Sequence, residues 1–148
     1  MKKNLARCGG AAVVAACAVL LAPLAAAGEE ATFHVTLSGP EASGDPDGRG
    51  EATVTLNAET NQVEVRLTYS NIAEPTAIFI RRGATGLEGN IAVPVVIESR
   101  QGNTIIGRRT SAMPNAVARI LASPEEHYLV VMNEEYPVNA LRGPLRKE

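Results

Sequence analysis

Residues 52–69 read Ala-Thr-Val-Thr-Leu-Asn-Ala-Glu-Thr-Asn-Gln-Val-Glu-Val-Arg-Leu-Thr-Tyr, and this stretch decides the fold. On both sides of residues 57–61, apolar residues occupy every second position and polar residues fill the positions between them. Such alternation is typical of a strand with one face on a core and the other in water. The segment 57–61 is short and rich in turn-forming residues. Residues 52–69 therefore predict two antiparallel strands joined as a hairpin.

The two-residue period also extends towards the N-terminus. Phe33, Val35 and Leu37 alternate with polar residues, and the Gly- and Asp-containing segment 43–48 separates them from the hairpin. Parallel strands are buried on both faces and read as continuous apolar runs. The alternation therefore favours an antiparallel sheet.

The second half of the chain is less regular. Residues 77–80 are apolar on both faces, which predicts a strand that is covered on two sides. Further strands are predicted at residues 91–97, 104–109, 127–132 and 140–145. Pro94 interrupts the first of these, which indicates an edge strand or a bulge.

One short helix is predicted between Pro114 and Ala122. Val117, Ile120 and Leu121 lie there at i, i+3 and i+4, and Pro114 suits the first turn. About eight strands and one helix predict a single all-β domain, either a β-sandwich or a barrel.

The first 27 residues have the pattern of a signal peptide. The charges before Glu29 are all basic, an Ala-rich apolar stretch runs from Cys8 to Leu24, and Ala25-Ala26-Ala27 ends it. We expect cleavage after Ala27, which leaves a domain of residues 28–148. Two alternatives are a lipid anchor on Cys17 and an uncleaved anchor over residues 8–27.

The remaining 121 residues would carry 11 basic and 16 acidic residues, a net charge of −5. That charge argues against a nucleic-acid partner, and no membrane span is expected after cleavage. Both cysteines, Cys8 and Cys17, lie in the leader. The mature domain is therefore expected to lack disulfides, thiolate metal sites and a cysteine nucleophile.

Four fragments occur in an order that resembles the CHRD domain, a module named after chordin and found in many secreted bacterial proteins. These fragments are residues 33–39, residues 45–50, the Gly-rich residues 83–89, and Tyr136-Pro137 with Ala140-Leu-Arg-Gly-Pro-Leu145. The resemblance implies an antiparallel β-sandwich of the immunoglobulin-like or Cu,Zn superoxide dismutase-like type, and we take this as the expected fold.

The same resemblance exposes three substitutions. Where most family members carry His-Ile-His, this chain has Phe79-Ile80-Arg81, and Met132 replaces a further histidine. The three histidines that could form a metal cluster are therefore replaced, so we expect no metal and no cofactor. Phe79 and Met132 are expected to be buried together on neighbouring strands.

Catalytic and metal-binding motifs are otherwise lacking. His34 and His127, expected on the surface, are too few for a typical metal site. Asp45 and Asp47 fit an Asx turn better than a calcium loop, whose required oxygen ligands are missing. Glycines 83, 86 and 89 precede a strand and not a helix, which argues against a phosphate loop. No nucleophile motif is present, so we expect no catalytic residues and no enzyme.

Arginines supply the remaining candidates. Arg81, Arg82 and Arg142 are predicted at strand ends or loops, where they could contact an anion or a partner; salt bridges to the acidic residues are the alternative. We expect a secreted or periplasmic, non-catalytic binding module whose unknown partner is a protein or a cell-surface polymer. The alternatives are a metal-binding or superoxide dismutase-like protein and a structural component of the envelope.

Overall fold

The computed structural model describes residues 30–40, 43–83, 89–110 and 115–146. Eight strands and one helix follow one another along the chain. They are β1 (Glu30–Ser38), β2 (Arg49–Asn57), β3 (Gln62–Ser70), β4 (Ala77–Arg82), β5 (Asn90–Gln101), β6 (Thr104–Arg109), α1 (Ala116–Ala122), β7 (His127–Met132) and β8 (Leu141–Pro144). A 3-10 turn, Pro124–Glu126, joins α1 to β7. The predicted leader, with Cys17, lies outside the described residues, as do Pro114 and the centre of the Gly-rich segment.

The strands form one closed antiparallel barrel in the order β1-β2-β3-β6-β5-β4-β7-β8. The β2–β3 hairpin is confirmed, and its turn is held by the Thr60 backbone N–H, which donates to Oδ1 of Asn57 at 2.9 Å. The antiparallel all-β class with one short helix is also confirmed. The expected sandwich is replaced by a barrel. Strand β8 pairs with β1 through Ser38 and Arg142, and this pairing joins all the strands into a single sheet.

The barrel interior is apolar and continuous. Inward residues alternate along the strands, as Phe33, Val35 and Leu37 do on β1, and all three are buried. Helix α1 connects the end of β6 to the start of β7, and its residues Val117 and Ile120 join the same core cluster. The helix therefore covers this end of the barrel, called here the helix end.

The structure refines two local predictions. On β4, Ile78 and Ile80 are fully buried and Phe79 is mostly buried, so the strand is covered on both faces as predicted, more completely on the inner one. Strand β5 is not an edge, because it pairs with β4 on one side and β6 on the other. Pro94 faces outward opposite Phe79, and the β4–β5 register shifts nearby, after Ile80. The bulge alternative therefore matches this irregularity.

Barrel closure requires a residue without a side chain at position 143. Gly143 faces inward on β8, and a Cβ atom there would overlap the carbonyl oxygen of Thr36 and lie 2.7 Å from Cγ1 of Val35. Both of these residues belong to β1. Glycine thus permits the close approach of β8 to β1 that closes the sheet.

We expect Gly143→Ala to destabilise the domain by about 2–3 kcal/mol, because the added methyl group must push β8 away from β1. Gly102→Ala is the control: Gly102 has a φ of 59° and nothing within 4 Å, so only a backbone penalty of about 1 kcal/mol applies. Urea unfolding measures both. A loss at position 143 no larger than that at position 102 would contradict the role of this contact in closure.

Candidate functional site

Two of the three candidate arginines meet on the outside of the barrel. Arg81 on β4 lies directly opposite Tyr128 on β7. Arg142 on β8 lies opposite Val130 of β7, and its guanidinium carbon is 4.4 Å from the centre of the Tyr128 ring. The side chain of Arg142 therefore leans along the sheet towards the residue that Arg81 faces. Tyr128 is the common neighbour of both cations.

Tyr128 is fully buried although it lies on the outer face of the sheet. The Arg142 guanidinium stacks on its ring, a cation–π contact that fixes both groups. Its hydroxyl oxygen accepts a hydrogen bond of 2.8 Å from the backbone N–H of Gly89. A side chain at position 89 would overlap the carbonyl oxygen of Arg82, so glycine allows the chain at residue 89 to pass close to the end of β4. Tyr128 therefore anchors the end of the Gly-rich segment and supports Arg142.

Arg82 does not join this group. It ends β4, and its guanidinium donates to Oε2 of Glu126 at 2.8 Å in an exposed ion pair. Arg82 therefore forms an ion pair of the kind that the salt-bridge alternative predicts. The structure brings together Arg81 and Arg142 and separates Arg82 from them.

The outward side chains of β4, β7 and β8 form one surface, called here the arginine face. Its members are Ala77, Phe79, Arg81, Tyr128, Val130, Met132, Arg142 and Pro144. None of these residues is acidic. The Nε atom of Arg81 is buried, with no hydrogen-bond partner among the described residues. Such an atom loses its hydration without gaining an acceptor from the described residues, which is unfavourable.

On the opposite side of the barrel, Arg108 is paired with two carboxylates. Arg108 on β6 contacts Glu64 at 2.6 Å and Glu98 at 3.0 Å. The hydrogen bond to Glu64, followed by the charges of Glu98 and Glu64, raises the pKa of the Arg108 guanidinium. The charge of Arg108 is thus neutralised. On the arginine face, no ion pair to a described carboxylate holds Arg81.

The positions that replace the family's histidines all lie on the arginine face. Phe79 and Arg81 point outward from β4, and Met132 points outward from β7 opposite Ala77. The prediction that β4 and β7 are neighbours is confirmed, and Met132 is diagonal to Phe79. Phe79 is mostly buried, as predicted, but it lies on the outer surface of the sheet and not in the barrel core. Arg81 is partly buried and not simply solvated at a strand end.

The two histidines lie in different environments. His34 is exposed on β1, as expected. The expectation for His127 was wrong, since only 3% of its surface is exposed. Its Nδ1 atom lies 2.8 Å from the carbonyl oxygen of Ser123 and must donate to it. Across the described ranges no three His, Cys, Asp or Glu residues lie close enough to hold a metal ion.

Asp45 and Asp47 lie in the loop between β1 and β2, at the end of the barrel opposite the helix. Asp45 is buried, and the backbone N–H of Gly48 donates to its carbonyl oxygen at 3.3 Å, consistent with the predicted turn. Its backbone N–H donates to the carbonyl oxygen of Ala140, which fastens the loop to the segment before β8. Burial, followed by a hydrogen bond with Asp47, raises the pKa of the Asp45 carboxyl group.

Sequence reasoning did not identify Tyr128. The run His-Tyr-Leu-Val-Val-Met from residue 127 shows no alternation, so it does not indicate which residues face outward. The prediction that β4 and β7 are neighbours could have indicated it. Arg81 lies near the end of β4, and in an antiparallel pair the end of β4 faces the start of β7, where Tyr128 lies.

The comparisons with known proteins agree with the resemblance described above. The sequence model of the CHRD domain matches residues 33–145, from the first buried residue of β1 to the residue that follows β8. The searches of curated proteins and of solved structures each returned no match. In the described ranges no helix has the length and apolar character needed to cross a bilayer.

We expect Phe79→Ala to cost about 1–2 kcal/mol of stability, because part of the side chain is exposed on the outer face and full truncation costs apply to rings buried in the core. Phe33→Ala, at a position with 1% exposure, serves as the control and should cost about 3–5 kcal/mol. Thermal and urea unfolding of both variants provide the comparison. Equal losses would mean that Phe79 belongs to the core.

We expect the stability advantage of the wild type over Asp45→Asn to fall as the pH rises. The pKa of Asp45 is higher in the folded state than in the unfolded chain, where it is about 3.9. The protonated carboxyl group therefore favours folding below the unfolded value, and this contribution is lost as the pH rises through the folded value. Urea unfolding between about pH 3.5 and about pH 7 tests this sign.

Asp47→Asn is the matched variant in that series. It removes the negative charge of Asp47, which together with the Asp45–Asp47 hydrogen bond raises the pKa of Asp45, and Asp47 itself is exposed. The pH window over which stability declines should therefore move towards acid. An advantage of the wild type over Asp45→Asn that grows with pH would contradict the direction of the shift.

Proposed function

Because this chain belongs to the CHRD domain family, we propose that it is a non-catalytic binding module that acts outside the cytoplasm and contacts its partner through the arginine face. The observation that carries the proposal is the pairing of Arg81 and Arg142 about the buried Tyr128. Arginine and tyrosine are enriched among the residues that dominate binding energy in interfaces.

The rigidity of the arginine face supports a binding role. Val130 has 1% exposure and lies between Phe79 on β4 and Arg142 on β8, so the base of the face is a packed layer. Arg142 is held on the Tyr128 ring before any partner arrives. Less side-chain freedom is then lost on association, which favours affinity.

A location outside the cytoplasm rests on the pattern of residues 1–27, with its basic start, apolar centre and small-residue end. A non-catalytic role rests on the chemistry of the arginine face. Arginine stays protonated and only donates hydrogen bonds, and neither phenylalanine nor methionine can transfer protons. These side chains bind and position groups but provide no general base and no nucleophile.

A capture experiment with an extracytoplasmic envelope fraction tests the proposal. Immobilised wild-type protein should retain envelope material at about 0.15 M salt. The double variant Arg81→Gln/Arg142→Gln should retain at least about tenfold less, since two charge-assisted contacts are lost. Retained carbohydrate and retained protein are both quantified.

The matched control is Arg66→Gln/Arg119→Gln, which removes the same charge from exposed positions on β3 and α1. It should retain as much material as the wild type. If both double variants retain equally little material, the effect comes from net charge alone, and the assignment of this face is overturned. Circular dichroism and thermal unfolding establish that each variant is folded.

A further inference from the structure

We propose that the helix end of the barrel binds a small hydroxy-carboxylic acid, in a cavity between α1 and the neighbouring ends of β4, β5 and β7. This site is separate from the arginine face, and the proposal goes beyond the function proposed above. The position of the cavity, the free ring nitrogen of His127 and the charge of the lining residues carry it.

The cavity lies at the helix end of the barrel, beside α1, and has a volume of about 330 Å³. The mouths of β-barrels are common sites for small ligands, and this volume is near the lower limit of ligand pockets. At roughly 30 Å³ for each water-sized group, it holds a molecule of about ten non-hydrogen atoms. The lining residues are Arg82 on β4, Asn90, Ile91 and Ala92 on β5, Ala116 and Arg119 on α1, and His127 on β7.

His127 offers a hydrogen-bond acceptor to this cavity. Its Nδ1 atom donates to the carbonyl oxygen of Ser123 at 2.8 Å, which fixes the ring and places the lone pair of the neutral imidazole on Nε2. Only 3% of the residue is exposed. Nε2 has no hydrogen-bond partner among the described residues, and the atom is not sealed from solvent. A largely buried acceptor without a protein partner favours a ligand that brings an O–H or N–H donor.

The charge of the lining residues selects a carboxylate as the second group. Two of these residues are arginines and none is acidic. Arg82 is paired with Glu126. Arg119 is exposed and forms no ion pair with a described carboxylate. Its planar guanidinium group matches the two oxygens of a carboxylate, which is therefore the group that this side of the cavity binds.

The lone pair on Nε2 distinguishes a hydroxy acid from other small ions. Sulfate and fully ionised phosphate have only acceptors, so their oxygens would be repelled by Nε2. An ammonium group would donate to Nε2, but no carboxylate lines the cavity to balance its charge beside two arginines. A neutral hydroxyl group donates without adding charge. Ile91, which is 49% exposed, and Ala116 provide apolar surface for the carbon skeleton between the two groups.

The chain has two histidines, which makes a direct NMR test possible. Imidazole nitrogen resonances of the isotope-labelled, purified protein are followed at about pH 8, above the ordinary pKa of histidine. The protein is titrated with mandelate, whose hydroxyl and carboxylate are adjacent, and with para-hydroxybenzoate, where a ring separates them. At least one should shift the Nε2 resonance of His127 saturably, with a Kd below about 1 mM. His34, exposed on β1, is the internal control and should not shift.

Compounds that lack one group separate the two contacts. Phenylacetate and benzoate keep the carboxylate without the hydroxyl group, whereas benzyl alcohol and phenol keep the hydroxyl group without the carboxylate. Each should bind at least about fivefold more weakly than the hydroxy acid that it resembles. Equal binding of the carboxylates would show that Nε2 accepts no bond from the ligand, and equal binding of the alcohols would show that no cation holds it. Either result overturns the inference.

Variants test the lining residues. Arg119→Gln should weaken binding of the hydroxy acid about tenfold, and Arg119→Lys should restore only part of it, because an ammonium group lacks the planar pair of donors. Ala92→Leu adds three carbon atoms beside the cavity and should block binding without a change of charge. Arg66→Gln, on β3 and outside the cavity, is the matched control and should bind as the wild type does. A loss in Arg66→Gln equal to that in Arg119→Gln would overturn the site.

The outcome is separable from that of the proposed function. Arg119 lies on α1 and not on the arginine face, so Arg119→Gln should weaken hydroxy-acid binding and leave the capture of envelope material unchanged. If neither hydroxy acid shifts His127 at concentrations up to about 10 mM, this inference fails and the proposed function is unaffected. If a hydroxy acid binds but envelope material is not retained through the arginine face, the proposed function fails and this inference stands.

Discussion

The approach of β8 to β1 is the contact on which the rest of the barrel depends. A strand edge with unpaired N–H and C=O groups tends to recruit other strands, and a barrel removes its edges by closing. Here closure relies on Gly143, where any side chain would meet the backbone of β1. The residues on either side of it then have fixed roles: Leu141 and Leu145 fill the interior, and Arg142 points outward. The Leu-Arg-Gly-Pro-Leu sequence of residues 141–145 thus closes the sheet and also places an arginine on its outer surface.

Closure also determines which outward residues become neighbours. Strand β7 is held between β4 and β8, so a residue on β7 has one cross-strand neighbour from each side. Tyr128 therefore faces Arg81 on β4 and is covered by Arg142 from β8. An aromatic ring buried on the outside of a barrel must be covered by other side chains. In this protein the Arg142 guanidinium supplies part of that cover, so the packing of Tyr128 and the position of this positive charge are linked.

Local sequence predicted the strands well, because the alternation of residues such as Val63, Val65 and Leu67 reports directly on which side of a strand is buried. It could not decide between a sandwich and a barrel. That difference depends on the single pairing of Ser38 with Arg142, which joins residues about a hundred positions apart and leaves no periodic signal. The burial of His127 could not be predicted either, because it depends on the turn before β7 and not on any pattern within the strand.

The sequence also identified the candidate arginines, but it could not show which of them lie on the same face of the sheet. Arg81 and Arg82 are adjacent in the chain, but neighbouring residues of a strand point to opposite sides. One therefore reaches the outer face beside Tyr128, while the other, at the strand end, pairs with Glu126. Distinguishing them required the register of β4 against β7, which is a property of the folded sheet.

The register gives the substitutions on the arginine face a common physical meaning. Positions 79, 81 and 132 share one outer surface, where the resemblance places histidines in other members of the family. A neutral imidazole offers a lone pair and can bind a cation. Arginine has no lone pair to offer and only donates hydrogen bonds, while phenylalanine and methionine contribute apolar surface. The same backbone positions therefore change from a surface suited to cations to one suited to anions and apolar groups. This reversal needs no change in the barrel, because all three side chains project away from the core that stabilises it.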